Sequence, residues 1–293
     1  MKAFLFPGQG AQTVGMGADL YESVPACRQV FDQANEVLGF DLARLCFEGP
    51  EDELTLTSNA QPGILTVSVA CLRVLEERGW RADIAAGHSL GEYSALVCAG
   101  ALTFPEALRL VRKRGQYMAE AKEGTMAAIL GLAPAQVEEI CRQASAVGVV
   151  IAANFNDPLQ VVVSGEERAV DEACRLAREA GAKRALRLKV SGAFHSPLMR
   201  EAGERLAQDL AQAAIADPQI PVVANVDAQE KRTAAEVREA LLDQVTSSVR
   251  WQQSVERIMQ AGGETFVLVG PGKALAGMIQ RIAPEACVIA CRT

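Results

Sequence analysis

The sequence predicts an α/β fold: a parallel sheet with helices on both faces, interrupted midway by a smaller β-α-β-β-α-β unit. Two observations carry this. Short apolar runs alternate with glycine-bearing loops and amphipathic stretches through residues 2–122, the rhythm of strand and crossover helix. Through residues 125–190 the rhythm changes, and four strands enclose two helices. In order, residues 2–6 (KAFLF) read as a strand entering the loop PGQGAQ. Helical spacing covers 23–38 and 62–78; in the second, Ile64, Val67, Ala70, Cys71 and Val74 recur at three and four. Residues 83–86 are a short strand ending at Gly87, and 90–98 and 104–122 are helices. In the middle unit, 125–130 is a strand and 134–146 a helix with proline in its first turn. The strands 149–154 and 160–164 are joined by the turn-rich NFNDPL, 166–180 is a helix stopped by Gly181, and 185–190 is a strand. That order is the ferredoxin-like signature. It divides the chain into a large domain, residues 1–123 and 191–293, and an inserted one, residues 124–190. Helical spacing returns at 199–213, and 222–225, 265–269 and 287–290 are further short strands.

Composition narrows the function classes. The 293 residues suffice to bury a core without disulfide or metal staples. Basic residues number 29 and acidic 36, a formal charge of −7, which disfavours a nucleic-acid binder. Nine Phe, three Tyr and two Trp are too few for a stacking platform. No run of 18 apolar residues occurs, so no membrane crossing is expected, and the apolar run before Pro7 is too short for a secretory signal. Eight scattered cysteines without a C-x-x-C pair read as reduced thiols of a cytoplasmic protein. With only two histidines there is no Cys/His cluster for zinc, so no metal is expected. Nothing in the chain calls for more than a monomer.

The sharpest local signal is Gly87-His88-Ser89-Leu90-Gly91, a G-x-S-x-G between a predicted strand and a predicted helix. A serine on such a turn projects its hydroxyl at the carboxyl edge of the sheet, and flanking glycines permit the strained backbone. The Leu90 amide, at the start of the helix, points where an oxyanion would form. A serine hydroxyl needs a base, and only His88 and His195 are available. His88 adjoins Ser89 along the chain, and consecutive side chains of an extended backbone point apart. His195, in SGAFHSP after the last strand of the insert, can return to the domain junction, where sites commonly form. In helix 104–122 the apolar stripe runs through Phe104, Leu108, Val111, Gly115 and Met118; Arg109, Arg112 and Lys113 fall opposite, and Arg114 on the stripe's edge. A buried arginine needs an anion, either an internal Asp or Glu or the carboxylate of a substrate. Two motifs are decoys. Gly8-Gln9-Gly10 lacks the third glycine of a dinucleotide fingerprint, with Thr13 in its place. Gly270-Pro271-Gly272-Lys273 lacks a phosphate loop's first glycine, at Val267, and its hydroxyl, at Ala274.

The motifs FPGQGAQ (6–12), GHSLGE (87–92), RGQYM (114–118), SGAFHSPLM (191–199), VRW (249–251) and VGPGKAL (269–275), in this order, resemble the malonyl-coenzyme A:acyl carrier protein transacylase family over almost the whole chain. The resemblance implies a hydrolase-like α/β domain with a ferredoxin-like insert. It implies Ser89 as the nucleophile, His195 as general base and then acid, and Arg114 as the grip on the malonyl carboxylate. The amides of Gln9 and Leu90 would form the oxyanion hole, and the backbone carbonyl of Gln244 would orient His195. Phe194 would crowd the acyl α-carbon, where family members that take methylmalonyl carry a smaller residue. The partners implied are malonyl-coenzyme A and a phosphopantetheinylated acyl carrier protein, in fatty-acid or polyketide synthesis, and no cofactor. The acidic carrier needs a basic patch; Lys183, Arg184, Arg187 and Lys189 are one candidate, and Arg109, Arg112 and Lys113 another. The rival readings are a serine hydrolase or thioesterase on the same elbow, and a non-catalytic scaffold that binds the carrier protein.

Overall fold

The computed structural model describes residues 1–121 and 123–291. The chain lays down β1 (Lys2–Phe6), then five helices, α1 (Ala18–Ser23), α2 (Pro25–Leu38), α3 (Leu42–Glu48), α4 (Glu51–Thr55) and α5 (Thr57–Glu77). Next come β2 (Ile84–Gly87), α6 (Gly91–Cys98) and α7 (Phe104–Glu120). The middle stretch holds β3 (Thr125–Leu130), α8 (Pro134–Ala144), β4 (Val150–Asp157), β5 (Gln160–Gly165), α9 (Glu167–Glu179) and β6 (Arg184–Arg187). The last third runs α10 (Arg200–Gln212), β7 (Val222–Val223), β8 (Glu230–Lys231), α11 (Ala234–Gln244), α12 (Trp251–Gln260), β9 (Thr265–Val269), α13 (Ala274–Ile282) and β10 (Cys287–Cys291).

The first sheet has the order β10-β9-β1-β2-β7-β8. Every pairing in it is parallel except that of the short edge strand β8 with β7. β1 sits inside this sheet, and its AFLF run is apolar on both faces because both are covered. Phe4 and Phe6 join the core beneath α2, α5 and α7, while Ala3 and Leu5 pack with Trp251, Val255, Ile258 and Ile279 of α12 and α13. The second sheet, β4-β5-β3-β6, is antiparallel throughout, the ferredoxin-like order. One of its faces, Ala127, Ile129, Val161 and Val163, carries α8 and α9. Period-two alternation turns Met126, Ala128 and Val162 the other way, into the large core with Met118 and Phe194. The face of the insert that α8 and α9 leave uncovered is thereby one wall of the cleft described below.

Several expected boundaries shift for physical reasons. The helix expected over 23–38 is broken at Val24, which precedes Pro25 and adopts extended backbone. The helix expected from Pro62 begins five residues earlier, at Thr57, with Pro62 inside it. Pro62 cannot donate to the carbonyl of Ser58, and the guanidinium of Arg112 donates to that carbonyl instead, at 2.5 Å. The last strand of the insert ends at Arg187, although the Leu188 amide still bonds to Met126. The strand expected over 222–225 shrinks to two residues, and α3, α4, β8, α11, α12 and α13 are elements that the sequence reading did not resolve. The predicted end of helix 104–122, at Lys122, lies outside the described residues. Among the described residues no helix is long and apolar enough to cross a membrane.

Candidate active site

β2 ends at Gly87, and the chain turns through His88 and Ser89 into α6. Ser89 takes the left-handed conformation, φ 50°, a strained state for a residue with a side chain. The turn is tight enough to require its glycines. A Cβ on Gly87 would lie 1.9 Å from the backbone of Gly91, and one on Gly91 would lie 2.3 Å from the Phe6 carbonyl. The PGQG loop packs on the same turn, since a Cβ on Gly8 would meet the His88 carbonyl at 2.4 Å.

His195 arrives from the loop beyond β6, also left-handed at φ 58°. Its Nε2 lies 2.7 Å from Ser89 Oγ, and its Nδ1 lies 2.9 Å from the backbone oxygen of Gln244. A carbonyl only accepts, so Nδ1 carries the hydrogen and Nε2 is left to accept the serine proton. Burial, and next the charge of Arg114, push the His195 pKa down to about 3, against the opposing pull of the Gln244 carbonyl. The ring is therefore neutral at neutral pH and able to take a proton. His88 is occupied elsewhere: its Nε2 lies 2.8 Å from Asn156 Oδ1, and its ring lies against Trp251.

Arg114 is buried well inside the stripe on whose edge the helical wheel put it, with 1% of its surface exposed. Nη1 donates to Gln61 Oε1 at 2.8 Å, and Nη2 donates to Ser89 Oγ and to Gln244 Oε1, each at 3.0 Å. Its Nε has no hydrogen-bond partner among the described residues. Every group that binds this guanidinium is neutral, so no Asp or Glu of the described chain forms the internal ion pair that was one of the two alternatives. The Ser89 hydroxyl thus donates to a neutral imidazole while it accepts from a cation, and both contacts favour its loss of a proton.

The amides of Leu90 and Gln9 donate to no protein acceptor among the described residues, whereas those around them do: Gly91 to His88, Glu92 to Ser89, Ala11 to Gly8 and Gly10 to the Gln12 side chain. A cleft of about 390 Å³ opens over Ser89, Arg114 and His195. Gln9, Met118 and Phe194 line it, with Asn156 and Gln160 contributed by the insert. No group of three or more His, Cys, Asp or Glu that could hold a metal occurs among the described residues.

The sequence reading missed the groups behind the elbow. Asn225 Oδ1 accepts from the Ser89 amide at 2.6 Å, and its Nδ2 donates to the Gly87 carbonyl at 2.7 Å. The side chain of Gln244, and not only its carbonyl, belongs to the site, since Nε2 donates to the Ser89 carbonyl at 3.0 Å. β7 is the signal for Asn225: pairing of Ala86 with Val223 puts Asn225 beside the end of β2. One basic patch, Arg109, Arg112 and Lys113, is engaged within the molecule, and of the other only Arg187 is ion-paired among the described residues. Arg109 pairs with Glu106, Lys113 with Asp209 and Arg187 with Asp171, while Arg112 holds Ser58 and Asn59 and lies over Phe40. Of the expected cations Lys189 lines the cleft.

A family model described as an acyl transferase domain matches residues 3–286. The chain belongs to the acyl transferase domain family. This acyl transferase is 48% identical over 284 residues to a malonyl CoA-acyl carrier protein transacylase of Bacillus subtilis, an alignment covering 96% of this chain and 90% of that protein. With the protein of the same name from Escherichia coli strain K12 it shares 47% identity, over 96% and 92% of the two chains. The solved structure of the malonyl CoA-acyl carrier protein transacylase from Coxiella burnetii superposes with TM-score 0.97 at 45% identity, over 99% and 93% of the chains. A complex described as a type II polyketide-synthase acyl carrier protein with its malonyl transacylase matches with TM-score 0.96 at 43% identity, over 99% and 95%.

Proposed function

We propose that this acyl transferase moves a malonyl group from malonyl-coenzyme A to the phosphopantetheine thiol of an acyl carrier protein, through a malonyl ester on Ser89. As Oγ attacks the thioester carbonyl, its proton passes to Nε2 of His195, which the Gln244 carbonyl orients. The oxyanion forms toward the free amides of Gln9 and Leu90. The C–S bond then breaks, and the departing coenzyme A sulfur takes the proton from His195. In the second half the carrier thiol gives its proton to His195 and attacks the ester, and Ser89 leaves with that proton restored. Malonyl-carrier is a substrate for chain-extending condensation in fatty-acid or polyketide synthesis.

The observation that carries the choice of malonyl is Arg114. Among the described residues its guanidinium is buried without a counter-ion and its Nε has no partner; Nη2 is 3.0 Å from the oxygen that would hold the acyl group. A carboxylate two bonds beyond the ester carbonyl comes within its reach, and an acetyl group leaves the charge unpaired. Phe194, which lines the cleft, crowds the α-carbon. The test is incubation with radiolabelled malonyl-coenzyme A, quenching in acid and peptide mapping. Label is expected on the Ser89 peptide and absent from Ser89→Ala. No covalent label in the unaltered protein, or label that survives the substitution, overturns the reading.

A further inference from the structure

Behind the elbow lies a buried carboxyl that the reaction above does not use. Glu92 sits in the first turn of α6 with 2% of its surface exposed. A single oxygen, Oε2, accepts from the Asn225 amide and from Gln244 Nε2, both at 2.9 Å. Those two residues are the ones that hold the reacting groups. Asn225 binds the Ser89 amide and the Gly87 carbonyl; Gln244 binds the Ser89 carbonyl, Nη2 of Arg114 and, by its backbone, Nδ1 of His195. Asn225 lies two residues past β7 and Gln244 ends α11, and no hydrogen bond joins the two directly among the described residues. Glu92 Oε2 is the atom they share.

We infer that Glu92 is a positioning residue: by accepting from Asn225 and Gln244 together, Oε2 holds Ser89, His195 and Arg114 in one geometry. The inference rests on the reading of those three as the reacting groups. What it requires of Glu92 is an acceptor of fixed reach, not a charge. Burial raises its carboxyl pKa to about 7, while the Asn225 amide, Gln244 and Arg114 pull it down and Asp227 adds to the rise. The group therefore passes between its two forms around neutral pH. Oε1 makes no hydrogen bond to the described protein, so a proton can reside there while Oε2 keeps accepting. Loss of Oε2 strands two buried N–H groups and frees the Gln244 amide to turn.

The experiment uses a fluorophosphonate probe, which reports the readiness of the Ser89–His195 pair without a malonyl group, and runs malonyl transfer beside it. In Glu92→Ala both rates are expected to fall about 100-fold at nearly unchanged KM, the scale of a small misplacement of reacting groups, with circular dichroism and the melting cooperativity of a folded protein. Glu92→Gln, which retains an oxygen at the same reach, is expected to recover at least tenfold of that loss. Where alanine does not fold, Glu92→Asp keeps the charge but withdraws the acceptor by one methylene, and is expected to be as slow as alanine. In the unaltered protein probe labelling is expected to stay flat across pH 7, since Oε2 accepts on both sides of the titration. Folded alanine or aspartate variants that label at the normal rate, a glutamine variant no faster than alanine, or an inflection near pH 7 each overturn the inference. Normal probe labelling without malonyl transfer in the unaltered protein would instead sink the malonyl reading and leave Glu92 untouched.

Discussion

Arg114 concentrates the argument at the scale of single residues. It cannot discharge itself, it is buried, and its three partners, Gln61, Ser89 and Gln244, are neutral. A group so placed costs stability unless something else recovers the cost, and under the proposed function a substrate carboxylate in the adjoining cleft would do so. Arg114→Ala is therefore expected to lower kcat/KM for malonyl-coenzyme A by at least about 100-fold more than for acetyl-coenzyme A, because sites built to pair a polar group discriminate on that scale. Acylation rates with the two thioesters measure it, and an unchanged ratio assigns the carboxylate to another group. The three side chains that the proposed reaction uses stand out in the sequence for particular reasons. Ser89 is framed by glycines that the turn demands, His195 is one of two histidines, and Arg114 breaks an apolar stripe. Glu92, Asn225 and the Gln244 side chain do not, although Glu92 stands inside the same motif. Their roles exist only through bonds between residues more than 130 apart in the chain, and a lone acid or amide in a sequence announces no partner.

Between elements, the decisive contact is the crossing of α5 and α7. A Cβ on Gly115 would lie 2.7 Å from the Thr57 carbonyl and 2.9 Å from Ser58 Cα, both backbone atoms at the start of α5. That close approach brings Arg114 of α7 to Gln61 of α5, and Arg112 to the carbonyl that Pro62 frees. Gly115→Ala would gain about 0.5–1 kcal/mol of helix propensity but would force the two backbones apart, which costs about 1–3 kcal/mol. The net expectation is a melting temperature lower by a few degrees. The malonyl KM should also rise more than the acetyl KM, because the displacement acts on Arg114. Equal stability with unchanged selectivity would show that the helices absorb the methyl group. This crossing was hidden in the sequence because a proline inside a helix reads as its start, and only the tertiary partner of Ser58 reveals otherwise. β1, β2 and the insert were legible because their periods match their burial. α11 carries a signal of its own in the sequence, since Thr233 and Glu236 form a capping box at its start.

For the whole molecule the site is a liability whose sign depends on pH. His195 is held down to about 3 and His88 is also lowered, in both cases mainly by burial. In the unfolded chain both sit near the ordinary 6.5. As pH falls below that value the unfolded chain takes up two protons that the folded one refuses, so stability present above pH 6.5 is lost toward pH 3. Glu92 acts in the opposite sense. Its pKa is raised to about 7, so between pH 7 and about 4.5 the folded protein takes up the proton first and gains stability as pH falls. One group offsets part of two across that window, and below it the offset is exhausted. There the salt-bridged Glu139 and Glu172 and the cap Glu236, all held below the usual carboxylate range, add to the loss as they protonate. Each proton that a buried histidine refuses is worth about 1.4 kcal/mol per pH unit where nothing opposes it. Urea midpoints are therefore expected to decline gently from pH 7 to 5 and steeply from 5 to 4. In Glu92→Gln, which has no proton to gain, the steep decline should begin about one to two pH units higher. Midpoints that rise between pH 6.5 and 4.5, or a variant whose curve runs parallel to that of the unaltered protein, would mean that the buried histidines and Glu92 do not govern the acid limb.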